Sequence, residues 1–166
     1  MSKTQDPLLL VVLTSPELSQ KESTLIKFAH RLSRGLGAKI EIVNLRSSSL
    51  AHYGEVDTLA SFKDKNAFIS YVRDLERDEE EKLDQKLHHI CPEVRVNFLK
   101  KDELEQFLHV KKGRILFAIT IYQKIKFPIF SKRPSFFKIL EKNNINVLEI
   151  RDTSPIEKHI QAINPT

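Results

Sequence analysis

The residues best suited to bind a ligand lie in one short basic and aromatic stretch that follows an apolar run. Its polar members are Lys124, Lys126, Lys132, Arg133 and Ser135, and Tyr122, Phe127 and Phe130 lie among them. Positive charge can hold a phosphate, a nucleotide, a lipid head group or RNA, and aromatic rings can stack on a base. The alternative interpretation is that the aromatic rings pack in the core while the basic side chains only solvate a loop.

Two hydroxyl side chains, Thr14 and Ser15, follow the first apolar run of the chain. In an open α/β sheet, ligands bind at the carboxyl ends of the strands, so we expect these residues to lie opposite the basic stretch. Their hydroxyls can donate hydrogen bonds to a ligand. The same residue types, including the nearby Ser19, are also ordinary helix caps, and the sequence leaves both roles open.

The sequence contains no arrangement of residues that is typical of catalysis or of metal binding. The chain has one cysteine, Cys91, and six histidines, and the histidines do not follow the spacing of zinc ligands. Serine and histidine likewise lack a spacing that would indicate nucleophilic catalysis. We therefore predict no enzyme activity, no metal and no cofactor. A single cysteine also excludes an internal disulfide and fits a reducing compartment.

The positive charge of the chain is concentrated in one region. Residues 106–140 contain eight Lys or Arg and no Asp or Glu, whereas the whole chain has a net charge of only +5. The rest of the chain is therefore net acidic. This basic region can attract anions locally. The sequence has no RNA-recognition signature and carries an acidic segment at 73–86, so general nucleic-acid binding is not expected.

Hydrophobic periodicity and turn residues predict ten alternating elements. The strands are predicted at 7–14, 39–45, 94–98, 114–122 and 145–150, and the helices at 19–35, 62–90, 102–109, 135–142 and 154–163. The apolar runs in the first and fourth strands predict burial on both faces. The first helix has two competing starts, a capping box at Ser19 and a proline start at Ser15. The acidic face of the long helix is interpreted as solvated.

Regular alternation of strands and helices with short connections predicts an α/β fold with a parallel sheet covered on both faces. The length predicts a single domain over 1–166, with a core at about 7–151 and a C-terminal helix at about 154–163. No apolar run approaches the roughly 20 residues that span a bilayer, and the first residues are unlike a signal peptide. We expect a cytoplasmic protein that is not inserted in the membrane.

Four segments resemble the universal stress protein family, and the first is the apolar strand that ends at Thr14 and Ser15, which is similar to the family's first strand. The stretch from Phe28 to Leu45 is similar to the family's "A…LA…GA-l-l-l-V" helix and second strand, residues 114–120 to a strand such as "DLIVMG", and residues 145–150 to "CPVLVV". The resemblance implies a three-layer α/β/α fold, of the adenine nucleotide alpha hydrolase-like type, with a five-stranded parallel sheet in the order 3-2-1-4-5. It also implies a homodimer through the last strand, where Ile145, Val147 and Leu148 would form the contact.

The chain departs from the family at the nucleotide site. Nucleotide-binding members carry G-x2-G-x9-G-[ST] after the fourth strand, but this sequence has no glycine after Gly113. Other residues cannot cheaply adopt the backbone conformations of such a phosphate cradle. The family's acidic residue at the end of the first strand is also replaced, by Thr14 and Ser15. We therefore do not expect ATP to bind in the family's manner.

The first unit also resembles the cytosolic domain of cation–chloride cotransporters. Residues 13–16 and 25–35 are similar to the "LTGPP…LVDFA…L" stretch of that domain. Our main functional hypothesis is a non-catalytic stress-response or regulatory binding protein of the universal stress protein type. Two alternatives stay open. One is an ATP-dependent switch that uses the basic stretch at 123–138, and the other is a free-standing regulatory domain that acts on a cation or amino-acid transporter.

Overall fold

The computed structural model of the chain describes residues 6–46, 62–122 and 134–163. Strands and helices alternate along these segments, as the sequence pattern predicts. The strands are β1 (Leu8–Leu13), β2 (Lys39–Arg46), β3 (Arg95–Lys100), β4 (Ile115–Ile121) and β5 (Val147–Ile150). The helices are α1 (Gln20–Gly35), α2 (Phe62–Ile90), α3 (Lys101–Lys111), α4 (Phe136–Lys142) and α5 (Ser154–Ile163).

The five strands form one parallel sheet in the order β3-β2-β1-β4-β5. This order confirms the predicted topology. All six residues of β1 are buried, as expected for a central strand that helices cover on both faces. The prediction of two-sided burial is confirmed for the second half of β4, where Ala118 and Ile119 are buried on opposite faces, and is wrong for the first half, where Leu116 is exposed. The reason is that β5 pairs with β4 only from Ala118 onward.

The sheet separates two apolar cores. One face packs against α1 and the C-terminal half of α2, and its buried side chains include Leu25, Ile26, Leu83, Leu87 and Ile119. The other face packs against α3 and α4, and it buries Leu104, Leu108, Phe136, Phe137 and Leu140. α5 lies beside α1, since the Thr24 hydroxyl donates to the Glu157 carboxylate at 3.3 Å. The result is a helix–sheet–helix arrangement in three layers.

The start of α1 distinguishes between its two predicted caps. The Ser19 hydroxyl accepts a hydrogen bond from the Glu22 N–H at 3.2 Å, and the Glu22 carboxylate accepts from the Ser19 N–H at 2.9 Å. This reciprocal capping box satisfies two backbone donors at once, which the alternative start at Ser15 and Pro16 does not offer. The prediction based on Ser19 is therefore confirmed and the competing one is wrong.

The starts of α3 and α5 agree with the predicted positions 102 and 154 to within one residue. α3 begins at Lys101, and Glu103 accepts from the Lys100 N–H at 2.7 Å. α5 begins at Ser154, and the Asp152 carboxylate accepts from the Ser154 N–H at 2.9 Å. At the start of both helices, a carboxylate accepts a hydrogen bond from a backbone N–H group.

Candidate functional site

The largest cavity described lies at the carboxyl ends of β1, β2 and β3, and we call it the carboxyl-edge cavity. Its volume is about 580 Å³, which falls in the range of about 300–1,000 Å³ that is usual for small-molecule sites. It is lined by Thr14, Pro16, Leu45, Arg46, Phe68, Val72, Leu75, Glu76, Glu79, Glu80, Phe98, Leu99, Lys100 and Glu103. Both its size and its position at the strand ends fit a ligand site.

Arg46 is the polar residue at the centre of this cavity. It ends β2, its guanidinium lies 5.4 Å from the centre of the Phe98 ring, and its Nη1 lies 3.3 Å from Glu79 Oε2. Its Nε and Nη2 are buried and have no hydrogen-bond partner in the structure. Buried donors without a partner cost free energy, so an acceptor on a ligand would relieve this cost.

Four carboxylates surround Arg46. Glu76, Glu79 and Glu80 follow one face of α2, and Glu103 comes from the first turn of α3. Burial raises the pKa of Glu80, and the negative charges of Glu76 and Glu103 add to this effect, while Arg46 opposes it. With Arg46 and Lys100 as the lining cations, the cavity has an excess of negative charge. Within the described part of the chain, no group of His, Cys, Asp or Glu is arranged to hold a metal ion.

A second and much smaller cavity lies where Thr14 and Ser15 were predicted to meet a ligand. It has a volume of about 110 Å³, lies between the ends of β1 and β4, and is lined in part by Ser19, Glu22 and Thr120. Ser19 and Glu22 are held by the capping box, and the Ser15 carbonyl accepts from Asn44 Nδ2 at 2.9 Å. This volume is well below the roughly 300 Å³ at which ordinary ligand sites begin.

Most of the predicted ligand-binding residues of the basic stretch cannot be related to either cavity. Lys124, Lys126, Lys132 and Arg133 lie outside the described residues. Ser135 occupies the N-cap position of α4, but its side chain makes no capping hydrogen bond there. Ser135 lines neither of the two cavities. The predicted convergence of Thr14 and Ser15 with the basic stretch therefore stays a prediction.

The predicted dimer contact involves side chains in three different environments. β5 is an edge strand of the sheet, and Leu148 is 41% exposed on it. Val147 is half-buried. Ile145 precedes the strand and is buried against the core on the α3 and α4 side. Of the three residues, Leu148 thus offers the most apolar surface to a partner.

The residues that the sequence reasoning missed are the charged ones of the carboxyl-edge cavity. Arg46, Glu79, Glu80 and Glu103 were not singled out, and the acidic face of α2 was interpreted as solvated. A signal was present, because Phe68, Val72, Leu75 and Glu79 recur at helical spacing and so share one face. This face lines the cavity, although most charged residues of the acidic segment are exposed, as the solvated interpretation predicts.

Cys91 is placed as a core residue rather than as a nucleophile. It is buried in the core beneath α1 and α2, and burial raises the pKa of its thiol. A raised pKa reduces the thiolate fraction at neutral pH, and the thiolate is the reactive form. The structure therefore assigns Cys91 a packing role.

Comparisons with known proteins identify the fold. No protein-family model and no curated protein matches the chain. Among solved structures, the universal stress protein UspA from Lactobacillus plantarum is 13% identical, covers 90% of this chain and 100% of its own, and has a TM-score of 0.54. A protein of the universal stress protein family from Burkholderia pseudomallei is 15% identical, covers 87% of this chain and 96% of its own, and has a TM-score of 0.49.

The likeness to UspA confirms the fold that the sequence resemblance predicted, and at this identity it shows the fold alone. In the part of the chain that the structure describes, no helix is both long enough and apolar enough to cross a membrane.

Proposed function

We propose that the protein is a non-catalytic binding protein of the universal stress protein type, with a regulatory role in the cytosol. Its ligand occupies the carboxyl-edge cavity. The observation that carries this proposal is Arg46, whose Nε and Nη2 are buried without a hydrogen-bond partner among the described residues and which lines a cavity of about 580 Å³ at the strand ends. The fold likeness supports the link to stress-response proteins.

ATP is a poor fit to the described carboxyl edge. The cavity at Thr14 and Ser15 has a volume of about 110 Å³, which is too small for a nucleotide. The larger cavity has more carboxylates than cations, and a triphosphate would be repelled there. The glycines that accommodate phosphates in nucleotide-binding relatives are absent after Gly113. The proposal therefore excludes ATP binding in the family's manner.

The chemistry of the cavity favours a small zwitterion. The free donors of Arg46 suit a carboxylate, because guanidinium and carboxylate form charge-assisted hydrogen bonds. Glu76 and Glu80 suit an ammonium or a guanidinium group, and Phe98 offers an apolar wall. The carboxylates do not converge as metal ligands would, so an organic cation fits them better than a metal ion. An amino acid with a basic side chain has both groups.

Calorimetric titration separates this ligand class from ATP. We expect L-lysine or L-arginine to bind saturably, and Mg²⁺–ATP not to bind. Arg46→Met should lower the affinity for the amino acid by about tenfold, since a hydrogen bond to a charged group contributes roughly 1.5–3 kcal/mol. Putrescine lacks a carboxylate, so Arg46→Met should not weaken its binding.

The matched control is Arg77→Met, which removes the same charge from the exposed face of α2 outside the cavity lining. This variant should bind L-lysine as the unaltered protein does. Stoichiometric ATP binding accompanied by hydrolysis would overturn the proposal, and so would an L-lysine affinity that does not respond to Arg46→Met.

The proposal includes a homodimer through β5. An edge strand with an exposed Leu148 offers both unpaired backbone groups and apolar surface to a second copy. Light scattering at high concentration should give the dimer mass, and Leu148→Arg should shift the protein toward monomer. Val110→Arg, at an exposed position of α3, is the control that should not. A monomer mass for the unaltered protein would contradict the dimer.

A further inference from the structure

Another cavity lies at the opposite edge of the sheet, and we call it the amino-edge cavity. It has a volume of about 450 Å³ and lies near the amino ends of β2, β3 and β4. Its lining is strongly basic, with Arg34, Lys39, Arg95, Lys111 and Arg114. These five cations come from distant parts of the chain, so no single stretch of sequence shows them together.

Carboxylates neutralise only part of this charge. Lys111 Nζ lies 2.8 Å from Glu41 Oε1, and Lys39 Nζ lies 2.8 Å from Asp6 Oδ2. Arg34 and Arg95 form no salt bridge with any residue of the described segments. Arg114 donates through Nε to the Asp6 carbonyl at 3.3 Å, a neutral acceptor that leaves its positive charge in place. The arginines therefore supply the unneutralised positive charge.

The C-terminus of α1 lies beside this cavity, and it does not cancel the positive charge of the arginines. The free carbonyls at a helix C-terminus carry partial negative charge that repels anions. Here the carbonyls of Leu32, Ser33 and Arg34 accept hydrogen bonds from the N–H groups of Leu36, Ala38 and Gly37. The turn with Gly37 at φ 62° makes this closure possible, because glycine tolerates a positive φ.

Two features of the lining favour a small anion over a nucleic acid. No Phe, Tyr or Trp side chain is among the described residues that line the cavity, so a base would find only the His30 ring to stack on. Glu41 and Glu93 also interrupt the basic surface, which disfavours a continuous phosphate backbone. Glu41 Oε2 is buried and has no hydrogen-bond partner in the structure. A hydroxyl group on the ligand would provide the donor that this oxygen lacks.

We propose that the amino-edge cavity binds a small phosphate ester that carries hydroxyl groups, as a sugar phosphate does. Arg34 and Arg95 hold the phosphate, because guanidinium groups bind phosphate oxygens through paired charge-assisted hydrogen bonds. Glu41 accepts a hydrogen bond from a ligand hydroxyl. This site is separate from the carboxyl-edge cavity, so either proposal can fail without the other.

The test uses ribose 5-phosphate as the probe, with inorganic phosphate and ribose as comparisons, in calorimetric titrations at low ionic strength. Ribose 5-phosphate should bind more tightly than inorganic phosphate, and ribose should not bind. The double variant Arg34→Gln with Arg95→Gln should lower the affinity for ribose 5-phosphate by at least about tenfold, since charged hydrogen bonds are strong. Both arginines are exposed, so the variant should fold.

The matched control is Arg73→Gln with Arg77→Gln, two exposed positions on α2 that remove the same charge elsewhere. This control should bind ribose 5-phosphate normally. Equal loss in both double variants would overturn the proposal, because it would show a response to net charge alone. Inorganic phosphate binding as tightly as the ester would also overturn it, as would a single-stranded oligonucleotide displacing the ester. Vesicles containing phosphatidylinositol 4-phosphate distinguish a lipid head group from a free ester as the natural source.

Discussion

The two edges of the sheet carry opposite charge in the described residues. At the carboxyl edge, four glutamates surround Arg46, and at the amino edge, five Lys or Arg surround Glu41 and Glu93. In each cavity, a residue of the less abundant charge has buried polar atoms without a hydrogen-bond partner among the described residues. This residue is Arg46 at the carboxyl edge and Glu41 at the amino edge. The comparison teaches that charge in this protein is arranged by sheet edge and not by position along the chain.

The basic region at 106–140 shows how a strand determines the edge at which a charged residue lies. Lys111 and Arg114 precede β4, so the strand places them at the amino edge. Lys124, Lys126, Lys132 and Arg133 follow β4 and lie outside the described residues. Lys111 and Arg114 are thus the described residues of this stretch that line the amino-edge cavity. The remaining cations of the amino edge come from α1, β2 and β3.

The largest predicted difference between the two edges concerns their ion pairs. At the amino edge, the side chains of Lys111 and Glu41 are only 17% and 11% exposed, whereas at the carboxyl edge Glu79, the partner of Arg46, is 46% exposed. Lys111→Met leaves a buried carboxylate without its partner and should reduce the free energy of unfolding by about 3 kcal/mol. Arg46→Met should cost less than about 1 kcal/mol. Urea unfolding measures both.

Two further variants control this prediction. Lys142→Met breaks the exposed pair with Glu105 and should change the free energy of unfolding by less than about 1 kcal/mol. Glu41→Gln combined with Lys111→Met removes both buried charges and should recover most of the lost stability. Equal losses for Lys111→Met and Arg46→Met would show that the two edges do not differ in this respect.

The next prediction, with a smaller expected effect, tests whether Ser19 caps α1 or binds a ligand at the carboxyl edge. Ser19→Ala removes the capping box of α1 and should lower the free energy of unfolding by about 1 kcal/mol. Ser135→Ala is the matched control, because Ser135 is at an N-cap position without a side-chain hydrogen bond and should cost almost nothing. Thermal unfolding compares the two. A change in ligand affinity without a loss of stability in Ser19→Ala would contradict the capping role.

The smallest effect tests the acidity of the carboxyl-edge cavity. The pKa of Glu80 is raised above its ordinary value of 4.5, chiefly by burial. The folded state therefore holds this proton more tightly than the unfolded chain, and stability falls as the pH rises from 4.5 through the raised pKa. Glu80→Gln should thus unfold at a higher temperature than the unaltered protein at pH 7.

The advantage of Glu80→Gln should shrink as the pH falls toward 4.5 and should vanish below it, where Glu80 becomes protonated in both states. Melting temperatures measured from pH 4.5 to 8 give this difference directly. The control is Glu81→Gln, an exposed neighbour on α2 that does not line the cavity. A variant that is less stable than the unaltered protein at every pH would show that Arg46 outweighs burial.

Much of the fold followed from local patterns. We predicted the unbroken apolar run of β1 and the limits of α2 at Phe62 and Ile90. These were predictable because hydrophobic periodicity and helix stop signals are properties of short stretches of sequence. The exposure of the first half of β4 was not predicted, because it depends on where β5 begins to pair. The candidate site was predicted only in its position at the strand ends. Its charged residues belong to separate elements, and no local pattern joins Arg46 to Glu103.

The sequence by itself determined the alternation of strands and helices and the absence of glycine after Gly113, because these depend on residue type and on spacing along the chain, whereas the strand order was implied by the resemblance to a known family. Only the tertiary structure decided which charges meet. The parallel sheet brings the ends of distant strands to a common edge, so Arg46 lines one cavity with carboxylates of α2, and Arg34 lines another with Arg95 and Arg114. Pairing between strands that are distant in sequence sets these arrangements, and no local feature of the sequence indicates which residues it brings together.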